Sequence, residues 1–356
     1  MTKTALITGI TGQDGAYLAE FLLKKGYEVH GLRQPVAVPD MERLETLLGP
    51  AARHVDLHYA DLTDTTSIIS LLKKVSPDEI YNLAAQSHVH ASFLVPDQTL
   101  QVNAAGTLRL LEAIRLLDSG DKVRFFQAST SELFGDAPAP QNEETVMLPR
   151  SPYAAAKLYA YHMTRLYREA YGFFACNGIM FNHESPLRGG EFVTRKIARA
   201  VAGIAKGTQS VLWLGNLDAK RDWSHARDMM EGAWQMMQQD RAADYILSSG
   251  VAHSVRDFVI SAFSVAGIEL SWQGSGAHET ATDIKTGRTI VRIDPECFRP
   301  LDVENLLGDA GKAKAQLGWS PRVDFKALVN EMVEAELAAL TSPAIPLQSE
   351  DLSIYG

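Results

Sequence analysis

Apolar runs of three to seven residues alternate with amphipathic helical stretches through the first half of this 356-residue chain. That rhythm constrains the fold more than any other feature. Residues 4–8 form a buried apolar run, and 16–25 carry helical spacing that ends at Gly26. Further runs follow at 28–32, 57–59, 79–83, 123–127 and 175–181. Helical patterns lie between them at 64–74, 100–117 and 153–171, the first behind the N-cap Asp64. Strands joined through helices at this spacing pair in parallel and need helices on both faces. The predicted fold class is therefore α/β, a doubly wound parallel sheet with right-handed crossovers.

The pattern loosens after residue 182. Helices are predicted at 192–206, 225–239, 254–266 and 325–340, and strands at 211–214, 245–248 and 268–272. Residues 275–288 are polar and read as a loop. We expect residues 1–181 plus about 217–249 to form a cofactor domain. Residues 182–216 plus about 250–340 should form a smaller, discontinuous substrate lobe, and 341–356 a tail.

The glycine turn Gly9-Ile10-Thr11-Gly12-Gln13-Asp14-Gly15 sits between the first strand and the first helix. Glycines there let the backbone approach a pyrophosphate, whose charge a helix N-terminus favours. The spacing is Gly-x-x-Gly-x-x-Gly, and the bland alternative is a tight connection. Asp61-Leu62 follows the third strand, where the carboxylate either reaches an adenine or caps the next turn. After the fourth strand, the small residues in Leu83-Ala84-Ala85-Gln86-Ser87 would let backbone lie against a cofactor.

Thr130-Ser131-Glu132 follows the fifth strand, and Tyr153 and Lys157 lie four apart on a predicted helix. Positions i and i+4 share a helix face. A neighbouring ammonium and a cationic nicotinamide could lower a tyrosine pKa from about 10 toward neutrality. Hydroxyl, carboxylate, phenol and amine together suit proton transfer beside a hydride transfer. Taken singly, each has a bland reading as a cap or a solvated side chain.

Net charge is -9, with no basic cluster, which argues against nucleic acid. No apolar run approaches the ~18 residues that span a bilayer. Only Cys176 and Cys297 are present, which fits a reducing compartment. No signal-peptide pattern precedes the first strand, and the expected location is the cytoplasm.

Longer strings carry a resemblance. Residues 8–15 (TGITGQDG), 128–132 (ASTSE), 149–157 (PRSPYAAAK), 181–186 (FNHESP), 192–197 (FVTRKI), 215–223 (GNLDAKRDW) and 298–300 (FRP) occur in order. The glycine turn with Tyr-x-x-x-Lys resembles the extended short-chain dehydrogenase/reductases. The longer strings resemble the GDP-mannose 4,6-dehydratases among them, over about residues 3–335.

The resemblance implies a redox-neutral dehydration of a GDP-sugar. Tyr153 would take the 4-hydroxyl proton as hydride leaves C4. Glu132 would remove the C5 proton and protonate the departing 6-hydroxyl. Thr130 would hydrogen-bond the 4-oxygen, and Lys157 would hold the nicotinamide ribose and the phenolate. Asn182, Lys196, Arg221 and Arg299 fall on substrate positions, with Ser87, Leu214 and Gly215 beside them. His183 and Arg188 fall on the cofactor side. The cofactor implied is NADP, with NAD the alternative, and the assembly a homodimer or homotetramer.

The chain departs from the family where an Arg-Arg-Ser-Ser type stretch usually grips the 2′-phosphate. Gln34, Pro35, Val36 and Ala37 stand there, with Arg33 one position early. A family tyrosine aligns with Gln98, and Leu187-Arg188 replaces a double arginine. Competing expectations are a dehydratase of a related sugar such as GDP-manno-heptose, and a GDP-sugar 4-reductase or epimerase. A cofactor-sensing module is the non-enzymatic alternative. Glu132 argues against a pure 4-reductase, and the Tyr153–Lys157 pair argues against a sensor.

Overall fold

The computed structural model describes residues 2–34, 41–297, 303 and 305–341. Pro35, Val36, Ala37, Arg299 and the tail from 342 lie outside the described residues. Six strands come from the first half: β1 (Thr4–Thr8), β2 (Glu28–Arg33), β3 (Val55–Tyr59), β4 (Glu79–Asn82), β5 (Arg124–Thr130) and β6 (Phe174–Met180). With Tyr245–Leu247 they form one sheet in the order (245–247)-β6-β5-β4-β1-β2-β3. Every pairing in it is parallel. The predicted doubly wound sheet is therefore present, and the expected return of 245–248 to it is met. Its order reverses between β1 and β4, the switch point at whose carboxyl ends such folds bind ligands.

Two apolar layers sandwich the sheet. Helices Gln13–Lys24 and Ala226–Met237 cover one face, through Leu18, Leu22, Met229 and Met236 among others. Helices Thr65–Val75 and Gly106–Leu116 cover the other, through Ile68, Leu72, Leu110 and Ile114. A third core joins helices Val193–Lys206, Val255–Val265 and Phe325–Ala339 to short strands. Those strands form a second sheet of Leu270–Gln273, Thr280–Asp283, Thr289–Ile293 and Leu212–Leu214. Lys220–His225 lies between Ala252–Ser254 and Asn305–Leu306 in a third sheet, with Asn182–Glu184 also paired to it.

Local signals explain several helix ends. Asp64 accepts from the Thr66 amide, and Ser254 makes a full capping box with Asp257. The expected helix over 100–117 is interrupted: Leu100–Ala105 is wound as a π-helix before Gly106–Leu116. The loop expected over 275–288 is corrected. Thr280–Asp283 is a strand, paired on both sides, and Gly276–His278 a 3-10 turn. Its polar residues alternate with the fully buried Ala281, so composition concealed a half-buried strand.

A buried ladder sets the carboxyl ends of β1, β4 and β5. The Thr8 hydroxyl donates to Asn82 Oδ1 at 2.7 Å, and Asn82 Nδ2 donates to Gln127 Oε1 at 2.8 Å. Thr8 Oγ1 also accepts from the Leu83 and Ala84 amides, at 3.1 and 3.0 Å, and draws that loop against β1.

A second buried network holds the far edge. Arg168 grips Asp244 with two hydrogen bonds of 2.8 Å, and Asp244 Oδ1 also accepts from the Asn177 amide at 3.0 Å. Burial would raise the Asp244 pKa, but Arg168 and Asn177 hold it below the ordinary carboxylate range. A depressed carboxyl stabilises the fold above its unfolded pKa, and that contribution fades as pH falls through the folded value. Asp244→Ala strands the guanidinium, so we expect a loss of about 3 kcal/mol. Urea unfolding at neutral pH checks this. The gap between variant and parent should shrink below about pH 4.

Candidate active site

One cavity of about 410 Å³ opens between the carboxyl ends of the large sheet and the third core. Its chemistry is assembled from three elements. β5 ends at Thr130, and the 3-10 turn Ser131–Leu133 turns Glu132 inward, where it is buried. Thr130 Oγ1 accepts from the Glu132 amide at 3.2 Å. Helix Pro152–Tyr171 starts beside them, with proline in its first turn and Ser151 capping the Ala154 amide at 3.1 Å. The Tyr153 amide donates to Ser92 Oγ at 3.2 Å, which pins this start to helix Val89–Leu94. One turn on, buried Lys157 donates from Nζ to the Ala128 carbonyl at 2.8 Å.

Burial pushes the Tyr153 phenol up to about 12, against a lowering hydrogen bond from Thr130; Glu132 raises it and Arg188 lowers it. Burial pulls the Lys157 ammonium down to about 8, opposed by Asp14. The expected depression of the tyrosine is thus not supplied by the chain's own groups. The reason is the depth of the site: Tyr153 is only 8% exposed, and desolvation outweighs the Thr130 hydrogen bond and the Arg188 charge.

The glycine turn is shaped for an anion. Gly9 has φ +70, and a Cβ there would meet the Ala84 amide nitrogen at 2.9 Å. A Cβ on Gly15 would meet the Gly9 carbonyl oxygen at 2.4 Å, so only glycine lets this helix start so close to β1. Gly12 offers helix Gln13–Lys24 no side-chain cap, which leaves first-turn amides free for an anion.

Asp14 in that turn pairs with His183, Nε2 to Oδ2 at 2.8 Å, while His183 Nδ1 lies 2.7 Å from the Phe181 carbonyl. Burial would raise the Asp14 pKa, but His183 and Gln13 bring it to about 2. Burial would lower that of His183, but Asp14 raises it. Two acceptors on one imidazole favour the doubly protonated ring.

Of the residues singled out in sequence, the cavity wall includes Asp14, Leu83, Ala85, Ser87, Thr130, Glu132, Tyr153, Lys157, Asn182 and His183. It also includes Arg188, Lys196, Leu214, Gly215 and Arg221. Asn182 Oδ1 is buried with no hydrogen-bond partner, an acceptor available to a ligand. Arg188 Nε lies 3.0 Å from Glu184, its guanidinium 3.5 Å over the Phe192 ring. Gly9, Thr11, Gly12, Gln13, Gly15 and Ala84 do not line the cavity; they build the turn around Asp14 or face it.

Arg33, Asp61 and Leu62 also lie outside that wall. Arg33 donates from Nη2 to the Tyr59 hydroxyl at 2.6 Å, its guanidinium 4.4 Å over the ring. Asp61 Oδ1 caps the next turn through the Thr63 amide and hydroxyl, both at 2.7 Å. Buried Leu62 packs under a sheet face. Arg299 is outside the described residues.

Sequence reasoning missed His88, His90 and Cys297, all on the wall. The histidines directly follow the small residues after β4, and that adjacency was the available signal. Cys297 reaches the site only through tertiary folding, its Sγ 3.9 Å from Lys196 Nζ.

A phosphate-suited turn at the sheet's switch point, with Tyr-x-x-x-Lys and Thr-x-Glu on one cavity, defines a short-chain dehydrogenase/reductase of the extended kind. Comparison narrows this. A family profile described as GDP-mannose 4,6 dehydratase matches residues 6–332, and the chain belongs to that family. The GDP-mannose 4,6-dehydratase of Sinorhizobium fredii is 54% identical over 95% of this chain and 97% of its own length. That of Sordaria araneosa is 53% identical over 96% of this chain, which spans 62% of that longer protein. In architecture the chain is similar to the UDP-glucose 4-epimerase of Thermus thermophilus in complex with NAD. The TM-score is 0.77 at 24% identity, covering 94% and 99% of the two chains. It is likewise similar to RMD from Pseudomonas aeruginosa complexed with NADPH, with a TM-score of 0.73 at 23% identity over 95% and 100%. No helix among the described residues is long and apolar enough to cross a membrane.

Proposed function

We propose that this chain converts GDP-mannose to GDP-4-keto-6-deoxy-mannose, as a lyase that uses a nicotinamide cofactor. The observation that carries the reading is the convergence of Thr130, Glu132, Tyr153 and Lys157 on one cavity beside the glycine turn. A 4-reductase needs the first, third and fourth of these. A buried carboxylate in addition is what water elimination requires.

When bound, an oxidised nicotinamide supplies a hydride acceptor for C4 and, once reduced, a donor for C6. Tyr153 takes the proton from the 4-hydroxyl, and Thr130, hydrogen-bonded to Tyr153, hydrogen-bonds the 4-oxygen. Glu132 removes the C5 proton made acidic by the 4-keto group, then returns a proton to the 6-hydroxyl as it leaves. Lys157 holds the ribose and the tyrosine. Asn182, Lys196 and Arg221, together with Arg299, hold the nucleotide sugar, with Ser87, Leu214 and Gly215 beside it. The glycine turn holds the pyrophosphate.

The electrostatics suit this division. Bringing a phenol from about 12 to neutrality takes about 7 kcal/mol. The chain's own groups leave the phenol at about 12, with Lys157 Nζ 5.9 Å from the Tyr153 ring centre. An oxidised nicotinamide ring carries a positive charge and, when bound, would lower the phenol pKa. The acid test is incubation with GDP-mannose and each cofactor. A product lighter by one water supports the reading; a reduced or epimerised sugar that keeps its 6-hydroxyl overturns it. GDP-manno-heptose is the second substrate to run.

For the cofactor we propose NADP with a weakened preference over NAD. Among the described residues β2 ends in Arg33-Gln34, with no Asp or Glu of its own to select ribose hydroxyls. Arg33 is the described cation there, and it is stacked on Tyr59. Each charge-assisted bond missing at Gln34 and Pro35 is worth about 1.5–3 kcal/mol, so the preference should fall tenfold or more below relatives with paired arginines. Titration of both cofactors checks this. Strong NADP selectivity that survives Arg33→Ala would refute it.

We assign residues 1–181 plus about 217–249 to cofactor binding and residues 182–216 plus about 250–340 to the substrate lobe. We also propose a homo-oligomer. Leu100, Leu116, Tyr159 and Leu166 are exposed at 49, 60, 42 and 51% on the helical stretches 100–116 and 152–171. Self-association would cover such apolar surface. A monomer at micromolar concentration in light scattering would exclude it.

A further inference from the structure

Glu184 lies on the cavity wall but takes no part in the proton transfers proposed above. It ends the short strand Asn182–Glu184, two residues after the substrate-side Asn182 and therefore on the same strand face. The residue is 2% exposed. Its Oε2 accepts from the Thr194 hydroxyl at 2.6 Å and lies 3.0 Å from Arg188 Nε. The Arg188 Nε–H is not aligned with that oxygen, so the second contact is an ion pair without a hydrogen bond. One buried carboxylate oxygen thus meets two partners, one by charge and one by a directed bond.

Both partners belong to the site. Arg188 is on the cavity wall, its guanidinium 3.5 Å over the Phe192 ring. Thr194 is fully buried in the first turn of helix Val193–Lys206, two residues before Lys196. Phe192, the N-cap of that helix, offers no side-chain cap, and the Lys196 amide donates to its carbonyl at 2.9 Å. The Thr194 bond to Glu184 therefore anchors a helix start that its own cap residue leaves loose. A carboxylate beside a first turn is also favoured by the helix dipole.

We propose that Glu184 is a positioning residue, whose carboxylate sets the cofactor-side Arg188 and the substrate-side Lys196 relative to each other. This rests on the assignment of Arg188 to the cofactor and Lys196 to the nucleotide sugar.

The two arms are separable. A carboxylate on this wall repels the diphosphates of both ligands, so its charge has to be offset locally, and Arg188 offsets it. That arm needs the negative charge. The Thr194 arm needs only an acceptor oxygen, which a glutamine amide also has. The backbone around Arg188 has an independent hold. Arg195 donates to the Pro186 carbonyl, and to the Arg188 carbonyl at 3.2 Å. Glu184→Gln should therefore release the Arg188 side chain and leave the turn that carries it in place.

The test uses the whole chain, with NADPH binding read by fluorescence and GDP binding by calorimetry. In Glu184→Gln the Kd for NADPH should rise about tenfold, because a charge-assisted contact is lost, while the Kd for GDP stays within about twofold. Thr194→Val keeps the shape and deletes the donor, so the pattern should cross: about fivefold weaker GDP, with NADPH within about twofold. KM for GDP-mannose should follow the GDP result, with kcat at saturation within about threefold in both variants, since neither side chain touches the reacting atoms. A residue that only supports the fold would lower the melting temperature and both affinities together. Unchanged or tighter NADPH binding in Glu184→Gln, or both affinities falling together in either variant, would overturn the proposal. The titrations need no turnover. A crossed pattern without water loss from GDP-mannose would overturn the dehydratase reading alone.

Discussion

Glu132→Gln should abolish water loss while GDP-mannose binding changes little. Binding senses the ground state, whereas the carboxylate is needed only once the C5 proton must leave. The amide is nearly isosteric, and the Glu132 backbone amide still donates to Thr130 Oγ1 at 3.2 Å, so the turn after β5 should keep its shape. Loss of a positioned acid/base typically costs about 10²–10⁴ in rate, and here two proton transfers use one group, which puts the effect at the upper end. Oxidation at C4 does not involve Glu132. Reduced-nicotinamide absorbance should therefore appear and persist in the variant. Mass spectrometry of the product decides the matter: undiminished loss of water in Glu132→Gln would remove the residue from the mechanism.

The second large effect is expected at Tyr153. Tyr153→Phe keeps the ring that fills the cavity wall and deletes only the oxygen that receives the substrate proton. We expect kcat to fall by about 10²–10⁴ with KM nearly unchanged, because the phenol acts in the transition state. The pH profile adds a sharper check. Activity should decline on the acid side as the phenolate is protonated. On the alkaline side it should decline as Lys157 loses its charge near the value of about 8 set by its burial. Lys157→Met should erase that alkaline limb while leaving the helix intact, since the side chain's carbon stem is already buried. An alkaline limb that persists in Lys157→Met would assign it to another group.

Several parts of the site were legible from residues close together in sequence. The glycine turn needs three glycines within seven residues, and its tight geometry follows from their missing Cβ atoms. Tyr153 and Lys157 share a face because of helical periodicity alone. Ser254 and Asp64 announce helix starts through contacts two or three residues long. The interrupted helix at Leu100–Ala105 and the strand Thr280–Asp283 were not legible, because neighbouring elements decide both.

Local chemistry thus sufficed for the seven strands of the large parallel sheet and for placing Tyr153 and Lys157 on one helix face. Each depends on spacing that the backbone enforces within a few residues. Only the tertiary structure decided which charges meet. Asp14 and His183 are 169 positions apart, and Lys196 and Cys297 are 101 apart. Only it decided that Tyr153 starts from about 12. Desolvation depends on everything packed around a group, and no local window of sequence contains that surrounding.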